Sequence, residues 1–246
     1  MVSRTGEEFM ERTKYESMGS SDQSRGLPQP PLELPHDGSG KVFDLPKPSG
    51  LTVGEVSLRK AIEGRRSVRE YSGTPLTLEE LSWLLWCTQG VRQVAGRNAT
   101  LRNVPSAGAR HAFETYVLVN RVEGLRPGIY RFLAIGHKLA EVEMGGSMAE
   151  RVSAACLGQR FVMGSAATFI LTAVPYRMTW RYMERGYRYM HIDAGHVCQN
   201  LYLAAEAIGG GVCAIGAFND DELNRLLKLD GEEQFAIYVA TVGKKG

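Results

Sequence analysis

The sequence predicts an α+β fold in which helices wrap a mixed sheet, and three observations support this prediction. Helical and strand patterns alternate loosely along the 246 residues. Two continuous apolar runs, at residues 167–174 and 234–242, are typical of strands that are covered on both faces. Hydrophobic residues make up 43% of the chain, which is enough to bury a sizeable core in one large domain or two small ones.

Residues 1–50 differ in composition from the rest of the chain and predict an extended N-terminal arm. The stretches LPQPP at 27–31 and LPKP at 45–48 impose a polyproline-like backbone. Such a segment forms either a disordered tail or an arm that wraps a neighbouring surface, and the leucines among the prolines favour the arm. We therefore divide the chain into an arm, residues 1–50, and a domain, residues 51–246.

Helix and strand signals begin at residue 57. The amphipathic run 57–64 ends at Gly64, a residue type that commonly terminates helices. The sequence TLEE at 77–80 is a capping box, so a helix starts there and ends near Gly90. The remaining elements, in chain order, are strands 115–120 and 128–132, a mainly helical stretch 147–165, strand 167–174, a long buried helix 189–208, strand 211–215, a helix opened by a second capping box at 219–222, and strand 234–242.

Charge, cysteines and hydropathy argue against several classes of protein. The formal net charge is +2, so no general affinity for nucleic acid is expected. The four cysteines are scattered, as is typical of reduced thiols in a cytoplasmic protein. No run of 18 apolar residues exists, which argues against a membrane span. His196 and Asn200 lie four residues apart, but without a third ligand they predict a buried hydrogen-bond network rather than a metal site.

Residues 65–69 (RRSVR), called the arginine segment below, form the most telling motif. Arg65, Arg66, Ser67 and Arg69 place three guanidinium groups and a hydroxyl directly after a helix end. Guanidinium groups match phosphate oxygens two at a time and keep their charge, so a phosphorylated ligand is the natural partner. The alternative is a solvated basic turn.

A loop of small residues could contact a flat ligand. It consists of Pro105, Ser106, Ala107 and Gly108, is called the PSAG loop below, and follows a polar, arginine-containing loop at 97–103. Small residues let the backbone approach a ring closely, and backbone N–H groups can bond its polar edge. The alternative is an ordinary turn.

Three other segments are candidates for ligand contact. IGGGVCAIGA at 208–217 holds more glycines than a helix stop requires, although helix termination with tight packing would also explain it. WRYMERGYRY at 180–189 is dense in aromatic and cationic side chains and could line a substrate cleft. GKKG at 243–246 is either a loose tail or a pair of lysines that completes a phosphate site.

Taken in order, these segments resemble the nitroreductase-like family of FMN-dependent oxidoreductases over roughly residues 55–246. The markers are RRSVREY at 65–71, PSAG at 105–108, LGQRFV at 157–162, GGGVCAIGAF at 209–218 and VGKKG at 242–246. Residues 8–48 and 181–203 resemble more specifically its SagB-type branch. That branch includes the flavin oxidases that convert azolines in peptides into aromatic azoles.

The resemblance implies a homodimer with a mostly antiparallel sheet wrapped by helices and with FMN at the subunit interface. It places Arg65 at the phosphate and Arg69 toward the pyrimidine edge, where a cation stabilises reduced flavin. Arg66 and Ser67 belong to the same segment, and the PSAG loop comes from the other subunit. The remaining implied FMN contacts are Gln159 at the pyrimidine ring, Ala214, Ile215, Gly216 and Ala217 over the ring face, and Lys244 at the phosphate.

Two departures from the family pattern bear on the reaction. The loop here reads PSAGARH, where many nitroreductases carry Asn, and the Lys-Tyr pair of azoline oxidases is replaced by Arg181 and Tyr182. An arginine is a poor general base because its pKa exceeds about 12. Tyr182 remains available, so these two residues are the candidate catalytic pair.

The resemblance thus predicts an FMN-dependent oxidoreductase that transfers hydride through flavin N5, acting as a SagB-type dehydrogenase on an unidentified organic or heterocyclic substrate. One alternative is an NAD(P)H-dependent nitro or quinone reductase. Another is a flavin-binding partner subunit with little turnover alone. In each case we expect a cytoplasmic homodimer that binds small molecules and neither nucleic acid nor membrane.

Overall fold

The computed structural model describes residues 4–96 and 98–246, so Arg97 of the loop predicted at 97–103 and residues 1–3 of the arm lie outside the described residues. The α-helices are α1 (Thr5–Arg12), α2 (Leu58–Gly64), α3 (Leu78–Gln89), α4 (Met148–Ala155), α5 (Phe161–Gly164), α6 (Pro175–Tyr182), α7 (Arg185–Glu206) and α8 (Asp220–Leu226). Short 3-10 helices lie at Tyr15–Ser17, Pro48–Gly50 and Ala107–Ala109.

The strands are β1 (Val42–Asp44), β2 (Val91–Ala95), β3 (Ala99–Arg102), β4 (Phe113–Val119), β5 (Gly128–Leu133), β6 (Lys138–Met144), β7 (Ala167–Ala173), β8 (Gly210–Ile215) and β9 (Phe235–Lys244). Seven of them form one sheet in the order β1-β6-β5-β4-β7-β9-β8, and β2 pairs with β3 in a hairpin. Every strand pair in the large sheet is antiparallel. The predicted α+β fold with a mostly antiparallel sheet is confirmed.

Helices cover both faces of the sheet because successive side chains of a strand point to opposite sides. On β4, Val117 and Val119 pack with α3 and α7, whereas Tyr116 and Leu118 face α4 and α8. Both central strands, β4 and β7, are buried along their whole length. The prediction of a strand covered on both faces from the apolar run 167–174 is therefore confirmed.

Local helix signals are also confirmed. The Thr77 hydroxyl accepts a hydrogen bond from Glu80 N at 3.1 Å, and the Glu80 carboxylate accepts one from Thr77 N at 3.0 Å. At the second box, the Asn219 side chain accepts from Glu222 N at 3.1 Å and begins α8. The long helix differs from the prediction in one respect, since α7 begins at Arg185, four residues earlier than expected.

The arm packs onto the domain by hydrogen bonds to its main-chain carbonyls. Arg177 Nε donates to Pro31 O at 2.8 Å, Arg131 Nη1 to Pro35 O at 3.1 Å, and Trp180 Nε1 to Leu27 O at 3.0 Å. Further along, β1 pairs with β6 at the edge of the sheet, and Leu45 lies in the main core. The described arm thus wraps its own domain rather than forming a tail, while the boundary at residue 50 stays a prediction.

No helix among residues 4–96 and 98–246 is long and apolar enough to cross a membrane.

Candidate active site

The arginine segment lies beside β8, the strand at one edge of the large sheet. Ser57 caps the start of α2 by accepting from Lys60 N, and the helix ends at Gly64, which leaves Arg65 in extended backbone. Ser67 then forms a parallel bridge with Val212, and Val68 N donates to Val212 O at 2.9 Å. The segment therefore lies beside β8, the strand that leads into residues 214–217.

Tyr202 of α7 links these two segments. Its hydroxyl lies 3.1 Å from Ser67 Oγ and accepts a hydrogen bond from Ala214 N at 3.0 Å. Its ring centroid lies 5.4 Å from the Arg65 guanidinium. Sequence reasoning missed this residue, because a tyrosine inside a long apolar helix carries no local sign of its partners.

The three guanidinium groups of the arginine segment have no carboxylate partner within the described part of the chain. Arg65 contacts the Tyr202 ring, and Arg69 lies 6.0 Å from the ring centroid of Phe161. Beside them is a cavity of about 400 Å³ lined by Arg66, Ser67, Val68, Arg69, Glu70, Lys245 and Gly246. Unneutralised guanidinium groups with a hydroxyl and an ammonium form a donor set that fits a phosphate dianion.

The two terminal lysines lie in different places, and Lys244 is not brought to this cavity. Its ammonium forms an ion pair with Glu80 and donates to Ile208 O at 2.6 Å. Lys245 instead lines the cavity and pairs with Glu206 at 2.7 Å. Consecutive residues of an extended strand point to opposite sides, so one lysine packs inward while the next reaches the cavity.

Residues 214–217 meet Gln159 at an open surface. Gln159 Nε2 donates to Ala217 O at 3.0 Å and to Cys156 O at 2.9 Å. Ile215 is buried in the sheet, where it pairs with Val239. Gly216 is exposed, and a Cβ added there would meet no atom within 4 Å. The structure thus brings Gln159 and this segment together and leaves room above the backbone for a flat ring.

The PSAG loop is fastened to the first half of α7. Ser106 Oγ accepts from His111 N at 2.9 Å, and Ala107 N donates to Asp193 Oδ2 at 3.2 Å. Asp193 is only 4% exposed, and burial raises the pKa of its carboxyl group. Gly108 has φ 57°, and a Cβ there would collide with the Tyr182 hydroxyl. The missing side chain at 108 therefore makes room for Tyr182 of the same chain.

Arg181 and Tyr182 end α6 next to this loop. The Arg181 guanidinium lies 5.5 Å from the Tyr182 ring centroid, and Tyr182 stacks edge-on against Tyr189 at 4.9 Å. Met183 follows with φ 50° and ψ −144°, which a non-glycine residue rarely adopts. Strained backbone of this kind clusters at functional sites because the surrounding structure must hold it in place. The candidate catalytic pair is thus held at the PSAG loop.

The candidate residues form two groups that contact different parts of helix α7. The PSAG loop group attaches to α7 at Asp193, and the arginine segment group attaches at Tyr202. Nine residues of helix separate these positions by about 13 Å along its axis. No hydrogen bond between described residues joins the PSAG loop to the arginine segment. Nor do residues 4–96 and 98–246 contain any group of three His, Cys, Asp or Glu side chains suited to a metal ion.

Comparison with known proteins decides the family. The model described as the nitroreductase family matches residues 62–244, about three quarters of the chain. The chain belongs to the nitroreductase family. Within this nitroreductase-family range lie the PSAG loop, Gln159, the Arg181–Tyr182 pair and the arginine segment, whereas Lys245 follows it directly.

Three relatives of this nitroreductase-family chain agree with the assignment. A Methanocaldococcus jannaschii protein named as a nitroreductase is 36% identical over 193 residues, covering 78% of this chain and 93% of its own. Trifolitoxin operon protein TfxC of Rhizobium leguminosarum is 26% identical, covering 92% of this chain and 65% of its own. Trifolitoxin-processing protein TfxB of the same organism is 32% identical over half of this chain, which spans 34% of it. The trifolitoxin relatives support the SagB-type branch.

Solved structures share the nitroreductase fold. A nitroreductase from Ralstonia eutropha has TM-score 0.68 and 25% identity, covering 89% of this chain and 95% of its own. One from Anabaena variabilis has TM-score 0.69 and 28% identity, and this chain spans 42% of it. A chain of the E. coli microcin synthetase McbBCD complex with bound truncated pro-MccB17 has TM-score 0.62 over 98% of this chain, with 18% identity, and shows the same fold.

Proposed function

We propose that this chain is an FMN-dependent oxidoreductase. Bound FMN would supply hydride transfer through its N5 atom, and the protein would supply binding, orientation and electrostatics. One observation carries the proposal. In a nitroreductase-family chain, Arg66 and Arg69, both without carboxylate partners among the described residues, line a cavity of about 400 Å³. Arg65 lies on the Tyr202 ring, and the Tyr202 hydroxyl joins this segment to Ala214.

In this proposal the arginine segment binds the phosphate end of the cofactor. Arg65, Arg66 and Ser67 donate to phosphate oxygens, and Lys245 takes the role that the resemblance gave to Lys244. Arg69, which leans over Phe161, provides positive charge toward the pyrimidine edge. Because Tyr202 contacts both Ser67 and Ala214, it fixes the spacing between the phosphate end and the ring end of the site.

Gln159 and residues 214–217 orient the ring. The Gln159 amide nitrogen is used to hold Ala217 O, which leaves its carbonyl oxygen to accept a hydrogen bond from the pyrimidine edge. Gly216 keeps the backbone open to the ring face. As in the family that the sequence resembles, the PSAG loop would come from a second copy of the chain; within one chain it contacts α7 at Asp193, about 13 Å from Tyr202.

The SagB-type relatives favour a dehydrogenase acting on an organic or heterocyclic substrate. Tyr182, beside the PSAG loop, is the group that would hold or move a proton at its hydroxyl oxygen. TfxB is named as a trifolitoxin-processing protein and TfxC as a trifolitoxin operon protein, so we include the precursor of a toxin among such substrates. The fold is also that of a chain in the McbBCD complex, so we include activity within an assembly, in which this chain alone would turn over slowly.

A second candidate is reduction of nitro compounds or quinones by NAD(P)H. It is favoured by the M. jannaschii relative, which is the more similar in sequence and is named as a nitroreductase. Rapid bleaching of the bound flavin by NADPH under anaerobic conditions would favour this reaction. Flavin that stays oxidised with NADPH but turns over with a partner protein or a peptide substrate would favour the dehydrogenase.

The visible spectrum of the purified protein tests the proposal directly. We expect the two absorption bands of oxidised flavin, and release of FMN as the extracted cofactor. Should the protein lack flavin and also fail to take up added FMN, the proposed function is wrong.

A further inference from the structure

Two arginines outside the phosphate site flank Gly108. Arg110 Nε donates to Gly108 O at 3.3 Å, and a terminal nitrogen of Arg181 lies 3.2 Å from the position that a Cβ at residue 108 would occupy. Both guanidinium groups therefore lie at the PSAG loop, next to the Tyr182 hydroxyl. Neither has a carboxylate partner among the described residues.

Arg110 is largely withdrawn from solvent, whereas Arg181 beside it is exposed. Arg110 is only 7% exposed, and its terminal nitrogens make no hydrogen bond to described residues. Burial, and then the nearby charge of Arg181, lower the pKa of Arg110. Asp193, the buried carboxylate of α7 at this loop, is engaged by Ala107 N and Ser106. A second positive charge beside the mostly buried Arg110, with no counter-ion, is unfavourable for Arg110, and a bound anion would relieve that cost.

Aromatic rings form the rest of the surroundings. The Arg110 guanidinium lies 5.5 Å from the ring centroid of Trp180, and Arg181 lies 5.5 Å from that of Tyr182, which in turn packs on Tyr189. Ring faces suit an organic body, and paired guanidinium groups suit a planar carboxylate. This combination favours an organic carboxylate over a strongly hydrated inorganic anion.

We propose that Arg110 and Arg181 bind the carboxylate of an organic substrate beside Tyr182. The proposal rests on the proposed function and specifies its substrate class. It gives Arg181 a role that a permanent positive charge can perform, in place of the proton abstraction that an arginine does poorly. A carboxylate held there would set the position of the substrate relative to the Tyr182 hydroxyl.

The test uses the full chain loaded with FMN. Flavin content is measured first, so a failure of the proposed function is seen as absence of flavin before any ligand is added. Isothermal titration then compares benzoate, uncharged benzamide and phenyl phosphate. We expect benzoate to bind about tenfold or more tightly than benzamide, the scale of a charge-assisted hydrogen bond, and Arg181→Gln to abolish this preference.

Two further variants sharpen the result. Arg110→Gln is expected to abolish the preference as well, and if this buried substitution prevents folding, the exposed Arg181→Gln decides. Arg225→Gln changes an exposed arginine on α8 and should keep the preference. Equal binding of benzoate and benzamide by flavin-loaded protein, or a preference that survives Arg181→Gln, overturns the proposal. So does binding of phenyl phosphate more than about tenfold tighter than benzoate, which would assign the pair to a phosphate group.

Discussion

At the scale of single residues, the phosphate site depends on charges that the chain leaves unpaired. Arg65 is half-buried against Tyr202 and contacts no carboxylate in the described part of the chain. When an anion binds to such an unpaired guanidinium, the free-energy cost of rearrangement is small because no internal ion pair has to break. Its contribution to FMN affinity should therefore be measurable by a single substitution.

We expect Arg65→Ala to weaken FMN binding by about 1.5–3 kcal/mol, the scale of a hydrogen bond to a charged group. Quenching of FMN fluorescence on titration with apoprotein measures the affinity. Arg59→Ala, on the exposed side of α2, is the matched control and should leave the affinity unchanged. Equal affinity of Arg65→Ala and the unmodified protein would mean that the phosphate binds elsewhere.

His111 makes stability depend on pH. Burial, with the nearby charge of Arg102, lowers the pKa of this side chain to about 3. A histidine with a depressed pKa in the folded state contributes stability that is present above its unfolded pKa, about 6.5, and is lost as pH falls below it. The backbone at His111 has φ 44°, which asparagine tolerates well.

Between pH 7.5 and 5.5 we expect the unmodified protein to lose about 1.4 kcal/mol of unfolding free energy through His111 alone. His111→Asn should remove that part of the pH dependence, as measured by urea unfolding at the two pH values. His191→Asn, at an exposed position of α7, serves as control. A pH dependence of His111→Asn equal to that of the unmodified protein contradicts this account.

Single residues also explain what sequence reasoning could and could not predict at the site. Arg65, Ser67 and residues 214–217 are close in space because Ser67 bridges to Val212 of β8, and only the family resemblance suggested this proximity. The choice between Lys244 and Lys245 depends on which side of β9 each faces, and that register depends on long-range packing. Tyr202 was missed for the same reason, since its hydrogen bonds reach two other elements.

At the scale of elements, a buried ionic cluster fixes the arm to the sheet. Glu114 of β4 is 3% exposed and pairs with Arg177 of α6, which is 2% exposed. The same carboxylate accepts a hydrogen bond from Leu34 N at 2.8 Å, so the arm supplies one of its hydrogen bonds. The arm, the sheet and α6 therefore all contact the buried Glu114 carboxylate.

Glu114→Gln should lower the unfolding free energy by about 3–5 kcal/mol, because it leaves the buried Arg177 without a counter-charge. Limited trypsin digestion should also cleave the arm faster after Arg25, which lies in the exposed part of the arm. Glu123→Gln, at an exposed position after β4, is the control. If Glu114→Gln loses no more stability than this control, the arm is held mainly by its other contacts.

Elements defined by local signals were predicted well, and those defined by tertiary contact were not. The Thr77 capping box and the apolar strand β7 act within a few residues, and both appear as expected. Strand β6 was missed because its lysine and glutamate side chains obscure the alternation of polar and apolar residues that is typical of a strand. Its edge is covered by β1 of the arm, a long-range pairing that no local pattern indicates. Helix α6 was missed because Arg177 and Trp180 bind the arm, a role that helical periodicity does not reveal.

At the scale of the whole molecule, the separation of the two groups along α7 predicts that a complete site needs two chains. Mixed dimers test this. One parent carries Arg65→Ala and the other Ala107→Gln, which adds bulk to the PSAG loop. If each site combines the arginine segment of one chain with the PSAG loop of the other, the mixed dimer has one intact site and one doubly altered site.

We therefore expect the mixed dimer, purified with two different tags, to bind about one FMN at concentrations where both parents bind little. Mixing the unmodified protein with itself through the same tags gives the reference value of two. Failure of the mixed dimer to bind more FMN than its parents would show that each site is built within one chain.

The contacts that hold the arm have a consequence for how its sequence can change. The arginines and Trp180 bind main-chain oxygens of Leu27, Pro31 and Pro35, which every residue type provides. Exposed side chains between those points can therefore be substituted, whereas inserting a residue would move the carbonyl oxygens away from their donors. In the arm, spacing is therefore constrained throughout, whereas side-chain identity is constrained only where a side chain is buried or hydrogen-bonded, as at Pro30, Gln29 and Glu33.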